Sequence, residues 1–425
     1  MSRFTGIIGI LLILGLAYLW SNNRKAINLR LVITGLLLQI ALAIFILKVP
    51  VGQDIFVWLG KVINKLLEFS REGGLFVFGD LTKISQILPP GIVSAGVFLF
   101  ILIPSIIFIC VLVSMAYHVG LMQRIVALLA RVVHRVMRVS GSEALSNVAS
   151  VFVGQVEAQI LIRPYLTGMT RSELLASMTG SMACIAGGVM AVYISMGVPS
   201  SYLLAASLMA APGALVISKI VFPETEQSET KGVVKLNVKK QHANIMDAIS
   251  HGATDGMSIS INVIAMLIGV IALVALADAL LGYFGHFLGW AGASLDFIGL
   301  DVENLRLKDL FGVFFSLFAV VMGVTPSESF EVGSLMGTKM VINEFVAYSD
   351  LSPMINQGLL SAKSIIIASF ALCGFANFSS IAIQLGGIGV MVPDRKADLA
   401  RLGFKAMICG TMASYISASL AGILL

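Results

Sequence analysis

The sequence predicts an all-α polytopic membrane protein with eight transmembrane helices and two re-entrant helical hairpins. Three observations lead there. First, 58% of the 425 residues are hydrophobic and 12% charged, against about 45–50% and 25% in a soluble protein, so there is too little polar surface for separate water-facing cores. Second, the chain contains many long runs free of Asp, Glu, Lys and Arg, including Phe4–Asn23, Leu31–Leu47, Ile84–Gln123, Leu174–Ser218 and Ser364–Pro393, where about twenty apolar residues suffice to cross the hydrocarbon. Third, eighteen of the 28 basic residues fall into five clusters, around Arg24, Arg131, Arg163, Lys235 and Lys396. The net charge of +5 is small; its placement reports orientation rather than nucleic-acid binding.

Taken in order, the first run lacks a small-residue cleavage site and is followed by Arg24 and Lys25, so it reads as an uncleaved helix. The run from Leu174 has twice the length of one span and carries Gly197-Val198-Pro199 near its middle, which predicts two helices joined by a tight turn. With every basic cluster placed inside, crossings at about 4–20, 31–48, 92–117, 172–196, 201–220, 254–280, 363–386 and 402–424 alternate without a break and leave both termini outside. Residues 55–69 have the spacing of an amphipathic helix lying flat at the outer interface, and Arg124, Arg131, Arg135 and Arg138 share one face of another. The Lys-rich stretch from Pro223 to Asn244 reads as a loose cytoplasmic loop.

Two segments break the alternation. Val139–Ile162 lies between two inside arginines and is too short for two crossings, so it must enter and return on one side. The stretch from Leu310 to about Tyr348 starts and ends outside, and its charges, Glu328, Glu331, Lys339 and Glu344, favour a second hairpin against a protein-enclosed cavity.

A carboxylate near the bilayer centre costs about 2.5–3.5 kcal/mol on insertion scales. Such groups therefore point to function. In the first hairpin, Gln155 and Glu157 stand close together near the tip. An ion pair with Arg163 is one reading of Glu157. A ligand-facing pair is the sharper one, since an amide offers both donor and acceptor to the edge of a base and a carboxylate accepts several hydrogen bonds. In the second, Glu344 follows Asn343, and Asn377, Ser379 and Ser380 interrupt the next span. Ser379 there also fits simple helix–helix glue. A matching interruption runs from Ala183 to Gly188. Hairpin followed by broken helix thus occurs twice, from opposite sides, the arrangement in which inverted repeats hold solute and coupling ions at the midplane. A membrane transporter follows.

These residues, VFVGQVEA (151–158), SMACIAGG (181–188), MAAPGALV (209–216), FPETE (222–226), NEFVAYS (343–349) and CGFANFSSIAI (373–383), resemble the concentrative nucleoside transporter family, bacterial-type and eight-span, along almost the whole chain. The resemblance implies a homotrimer in the bacterial cytoplasmic (inner) membrane that imports nucleosides by cation symport without a cofactor, an inverted-repeat transport domain moving like an elevator on a trimerisation scaffold. It would divide the chain into scaffold helices and interfacial helices (1–138), first hairpin with spans 4 and 5 (139–220), a cytoplasmic loop (221–253), the scaffold span 6 (254–309), and second hairpin with spans 7 and 8 (310–425). It implies base contacts from Gln155 and Glu157, apolar contacts from Val189 and Phe375, and ribose contacts from Glu344, Asn377 and Ser380. A ribose diol suits a carboxylate, and a site built for its hydroxyls rejects deoxy analogues.

The chain departs from the family pattern at three places. Val156 stands where Thr, Ser or Asn is usual, removing one base contact. At the sodium site, which would comprise Ser150, Val153, Cys184 and Ile185, Ser150 replaces Asn and Cys184 replaces Ser or Thr. A thiol is a poor ligand for a hard cation, so protons are favoured over sodium, with Glu157 or Glu344 as carriers. A membrane-embedded enzyme on a nucleotide or lipid-linked substrate, or a passive channel, are the alternatives. Against an enzyme, His118, His134, His242, His251 and His286 form no metal motif and no Ser/His/Asp set is evident, while Cys110, Cys184, Cys373 and Cys409 lack metal-type or disulfide spacing.

Overall fold

A computed structural model describes residues 5–82, 95–230, 243–290 and 305–425. The start of the third crossing (92–94) and most of the Lys-rich loop, with Lys231, Lys235, Lys239, Lys240 and His242, lie outside the described residues. Everything assigned a regular structure within them is helical.

α1 (Thr5–Leu19) and α2 (Leu29–Leu47) are apolar helices; Asn28 caps α2 by accepting the Leu31 N–H at 3.2 Å. The amphipathic stretch expected at 55–69 belongs to a longer helix, α3 (Pro50–Phe78), opened by Pro50 in the first turn, where a missing N–H costs nothing. α4 (Ala95–Val119) ends at Gly120 (φ +83°), and the arginine-bearing α5 (Leu121–Met137) leaves at 78° to it.

The first hairpin begins with α6 (Gly141–Ala149), which a capping box starts: Ser140 accepts the Glu143 N–H, and Glu143 accepts the Ser140 N–H. Non-helical backbone then carries Gly154 and Gln155, before the short α7 (Glu157–Ile160). A second capping box, Thr170 with Glu173, starts α8 (Arg171–Ala183). This helix breaks over Cys184–Ala186 and resumes as α9 (Gly187–Ser195), and a turn at Gly197 (φ +95°) leads into α10 (Ser200–Val221).

α11 (Ile245–Trp290) is far longer than the crossing expected at 254–280. Three helices then occupy the region read as one hairpin: α12 (Leu307–Met322), α13 (Ser329–Val341) and α14 (Glu344–Asn356). Gly323 (φ +106°) ends α12, which packs along α13, and the sharp turn falls at Ile342–Asn343, so the hairpin proper is α13–α14 and reaches past Tyr348. Polarity alone could not separate these helices because α12 is almost uncharged. α15 (Ala362–Leu372) and α16 (Phe378–Met391) form the second broken helix, and α17 (Lys396–Leu424) closes the chain.

By length and composition, five helical stretches among the described residues can cross a membrane: α2, α8 through α9, α10, Ile271–Leu288 in α11, and Pro393–Leu424. The α4–α5 pair would add a sixth, and α1, α15 and α16 are shorter apolar helices. α17 is the hub. Its buried Gly403, Ala406, Gly410, Ala413, Ser417, Ala418 and Gly422 let α1, α8, α10, α15 and α16 approach closely, as helices without a hydrophobic driving force between them require. A separate pairing of α4 with α11 flanks α9 and α3.

One part of the polar loop is not loose. Residues 222–230 fold onto the base of the first hairpin: Ser172 donates to the Phe222 carbonyl (2.6 Å), Thr170 to Glu224 (2.7 Å), and Ser228 to Glu173. Buried Lys219 joins Glu143 and Glu224 there. Those carboxylates and hydroxyls satisfy the helix starts, which hydrophobicity counts register only as polarity.

Candidate functional site

The two breaks meet. Gly374 has φ +119°, and a Cβ placed on it would lie 2.6 Å from the Ala183 carbonyl oxygen. The unwound backbone of α15–α16 therefore rests directly on the end of α8, which only glycine permits. Around this contact the hairpin tips deliver their side chains. At the first, the Gly187 N–H donates to the Phe152 carbonyl (3.2 Å), tying hairpin tip to helix break.

At the second, two helices begin side by side. Asn343 caps α14 by accepting the Val346 N–H (2.9 Å), and Asn377 caps α16 by accepting the Ser380 N–H (2.8 Å). Cap geometry explains both asparagines, which are poor residues inside a helix but strong at its start. The caps also aim the positive ends of two helices at the first residue of α14, Glu344. That carboxylate, 5% exposed, accepts Asn377 Nδ2–H at 2.8 Å and the Tyr193 phenol at 3.1 Å. Ser379 donates to Asn377 Oδ1 (2.7 Å), and Gln155 Nε2 donates to Ser380 Oγ (3.3 Å). A continuous chain of polar groups thus runs from the first hairpin to the second: Gln155, Ser380, Asn377, Glu344, Tyr193. Gln155 Oε1 is buried with no hydrogen-bond partner. Buried acceptors are normally paired, so this one leaves the first-hairpin end of the chain incomplete.

Of the seven expected solute contacts, Gln155, Glu344, Asn377 and Ser380 are brought together. Phe375 is half buried in the second break, its carbonyl accepting the Asn377 N–H (2.9 Å). Glu157 and Val189 line a cavity of about 330 Å³, whose wall the other five do not join. Gly154 and Gly187 share that wall, and the opposite side is built by Cys110 and Tyr117 of α4 and by His251 and Asp255 of α11. The Glu157 carboxylate folds back over Gly154, where a Cβ would strike it. Among the described residues no ion pair joins Glu157 to Arg163.

The four residues of the expected sodium set do lie around the first tip and break. Ser150 Oγ donates to the Ser146 carbonyl (2.8 Å) and sits 3.0 Å from Ser181 Oγ. Ser181 is held in turn by Gln159 Nε2 (2.6 Å), and Gln159 Oε1 accepts from Ser177 (2.6 Å). The Cys184 thiol points to the Ser207 carbonyl (3.5 Å), the Ile185 N–H donates to Ser207 Oγ (3.4 Å), and Val153 is buried at the turn. As a donor set for a hard cation it is thin: one hydroxyl already engaged, one thiol, and carbonyls.

Sequence reasoning missed Tyr193, Gln159, Ser181 and Ser207. Tyr193 left a signal, because a phenol in an apolar helix needs a partner; it stacks on Tyr348 (centroids 4.3 Å apart) while its hydroxyl reaches Glu344.

Family models match along the chain: "Na+ dependent nucleoside transporter C-terminus" over residues 202–422, its N-terminus counterpart over 8–81, and "Gate: Nucleoside recognition" over 99–200. An uncharacterized transporter of Bacillus subtilis is 38% identical over 424 residues, covering both chains fully. The nucleoside permease NupC of Helicobacter pylori is 35% identical over 427 residues, 99% of this chain and 98% of its own. Human sodium/nucleoside cotransporter 1 is 35% identical over 440 residues, all of this chain and 64% of its own. Among solved structures, that of CNTnw in an inward-facing substrate-bound state superposes with a TM-score of 0.90 at 38% identity, covering 100% of this chain and 98% of the other. Hairpins, breaks and matches agree on a transporter rather than an enzyme, and the chain belongs to the concentrative nucleoside transporter family, whose members carry out cation-coupled nucleoside transport.

Proposed function

We propose that this chain imports nucleosides by proton symport, with Gln155 and Glu157 reading the base, Val189 and Phe375 flanking it, and Glu344, Asn377 and Ser380 holding the ribose. The observation that carries this reading is the buried, unpartnered Gln155 Oε1 at one end of the polar chain that leads to the Glu344 carboxylate. A solute with a donor at its base and a vicinal diol at its sugar completes both ends, and apolar walls leave its orientation to those few polar groups. Protons suit a site whose acids are Glu157 and Glu344 and whose candidate sodium donors include the Cys184 thiol and an engaged Ser150 hydroxyl. Elevator movement fits the division between the hub around α17, with both hairpins and both broken helices, and the separate α4–α11 pair across the cavity. The outer face of α11 exposes Ile268, Leu273, Leu280 and Tyr283. That face suits lipid and a trimer contact. The reading includes eight crossings in a bacterial inner membrane with both termini outside.

Sodium coupling is the second reading, favoured by the Na+-dependent description of the matching family models and by the sodium cotransporters among the relatives. Uptake of labelled uridine and a panel of other nucleosides into proteoliposomes, with sodium and proton gradients imposed separately, decides between them. Accumulation driven by sodium with no proton gradient refutes proton coupling. No uptake of any nucleoside under either gradient refutes the whole proposal.

A further inference from the structure

Lys339 lies on α13, five residues before Glu344, and is completely buried. Its ammonium donates to the carbonyl of Ala371 at 3.3 Å. Ala371 is the penultimate residue of α15, where carbonyls lack helical partners and carry the negative end of the helix dipole. Neighbouring carbonyls are served by neutral donors: Tyr348 OH reaches Ser369 O (2.8 Å), and Ser414 Oγ reaches Cys373 O (2.8 Å). Of these three side-chain donors the lysine alone carries a charge, and Glu344 and Cys373 lie within its electrostatic reach. A buried ammonium carries a desolvation penalty of several kcal/mol that a methionine of similar volume would avoid, so packing does not account for it.

The repeat supplies the comparison. Lys339 stands to Ser150 as Glu344 stands to Gln155 and Cys373 to Cys184, at one and the same spacing along the chain. At the first break the equivalent position offers only the Ser150 hydroxyl, beside Ser181 and the Cys184 thiol. Both breaks end a helix against a hairpin tip, and both present carbonyls.

We propose that Lys339 is a built-in cation: its ammonium bridges hairpin α13–α14 to the carbonyl end of α15 and so positions Glu344. The second hairpin then needs no metal cation from solution to close, and a coupling metal cation such as sodium would have its business at the first. That last clause rests on the cation-symport reading; the bridging itself does not. Lys339 acts through Glu344 and is a positioning residue rather than a solute contact.

Two variants of the full-length protein test this. Lys339→Met keeps the bulk of the stem and removes the charge, while Lys339→Ala leaves room for a small ammonium ion. Hydrogen–deuterium exchange over residues 340–348 and 372–378 reads hairpin seating, and uridine uptake in proteoliposomes reads function. Both variants should elute like wild type on size exclusion and exchange faster in these two segments. Uptake should fall by about ten- to a hundredfold, the factor equivalent to one charge-assisted hydrogen bond. Propylammonium chloride should restore protection and uptake saturably in Lys339→Ala, and not in Lys339→Met; tetramethylammonium chloride should restore neither. Wild-type exchange and uptake in Lys339→Met would overturn the proposal, as would a loosened hairpin in Lys339→Ala that propylammonium does not reseat. If neither neutral variant folds, Lys339→Arg decides, since a charged head on the same hairpin must restore folding and protection, and its failure refutes the bridge. Should wild type itself carry no nucleoside, the transport reading falls while the exchange measurements still decide on Lys339.

Discussion

Replacing Asn377 separates two tasks that one side chain performs. Its Oδ1 caps α16 through the Ser380 N–H at 2.8 Å, and its Nδ2–H donates to Glu344 Oε2 at 2.8 Å. Loss of a cap costs about 1 kcal/mol of stability, and a hydrogen bond to a charged group contributes about 1.5–3 kcal/mol. Asn377→Ala loses both. It should unfold at lower temperature than wild type, and its apparent uridine affinity should weaken by about ten- to a hundredfold, because each tenfold corresponds to about 1.4 kcal/mol. Asn377→Asp isolates the second task. Aspartate keeps an oxygen for the cap but places a carboxylate beside the Glu344 carboxylate, so stability should be nearer wild type while uptake is abolished at neutral pH. Thermal unfolding in detergent with uridine uptake in proteoliposomes reads both. Uptake by Asn377→Asp at the wild-type rate would refute the assignment of Asn377 as the partner that holds Glu344 for the sugar.

Glu344→Gln should leave the protein folded, since the amide oxygen can accept Asn377 Nδ2–H and its N–H can donate to the Tyr193 phenol oxygen, and should abolish uptake, because the charge offered to the ribose hydroxyls is gone; uptake and size exclusion check it. Gly374→Ala should lower both thermal stability and uptake, because a Cβ must displace the Ala183 carbonyl from 2.6 Å and adopt φ +119°, strain of about 1–3 kcal/mol. Lys219→Met leaves the buried Glu143 and its neighbour Glu224 without their cation. Uncompensated buried charge costs about 3–5 kcal/mol, so yield and melting temperature should drop more than for the milder Glu224→Gln, as a thermal-shift series would measure.

Much of the framework was legible in the chain because each relevant signal is local. Charge-free runs marked α2, α8–α9, α10 and α17, and Cys184–Ala186 and Cys373–Asn377 announced their breaks by small and polar residues. The motif NEFVAY likewise marked Asn343 and Glu344, though its place at the turn itself, with α12 as a separate helix before it, was not visible. Nor was the docking of residues 222–230, whose polarity reads equally as solvent exposure until the capping boxes of Ser140 and Thr170 are seen beside them.

By itself, the sequence determined the solvent in which this protein folds and the positions where polar groups enter it. Burial of a carboxylate or a bare helix end is penalised one residue at a time, so each exception shows in the string. Tertiary structure alone decided which exceptions face one another: Gly374 on Ala183, Gln155 with Ser380, Tyr193 with Glu344, Lys339 at Ala371, and Glu157 across a cavity from α4 and α11. A hydrogen bond depends on distance and direction within a few tenths of an ångström. Partners 32 to 225 residues apart acquire those only when the whole helical hub has packed.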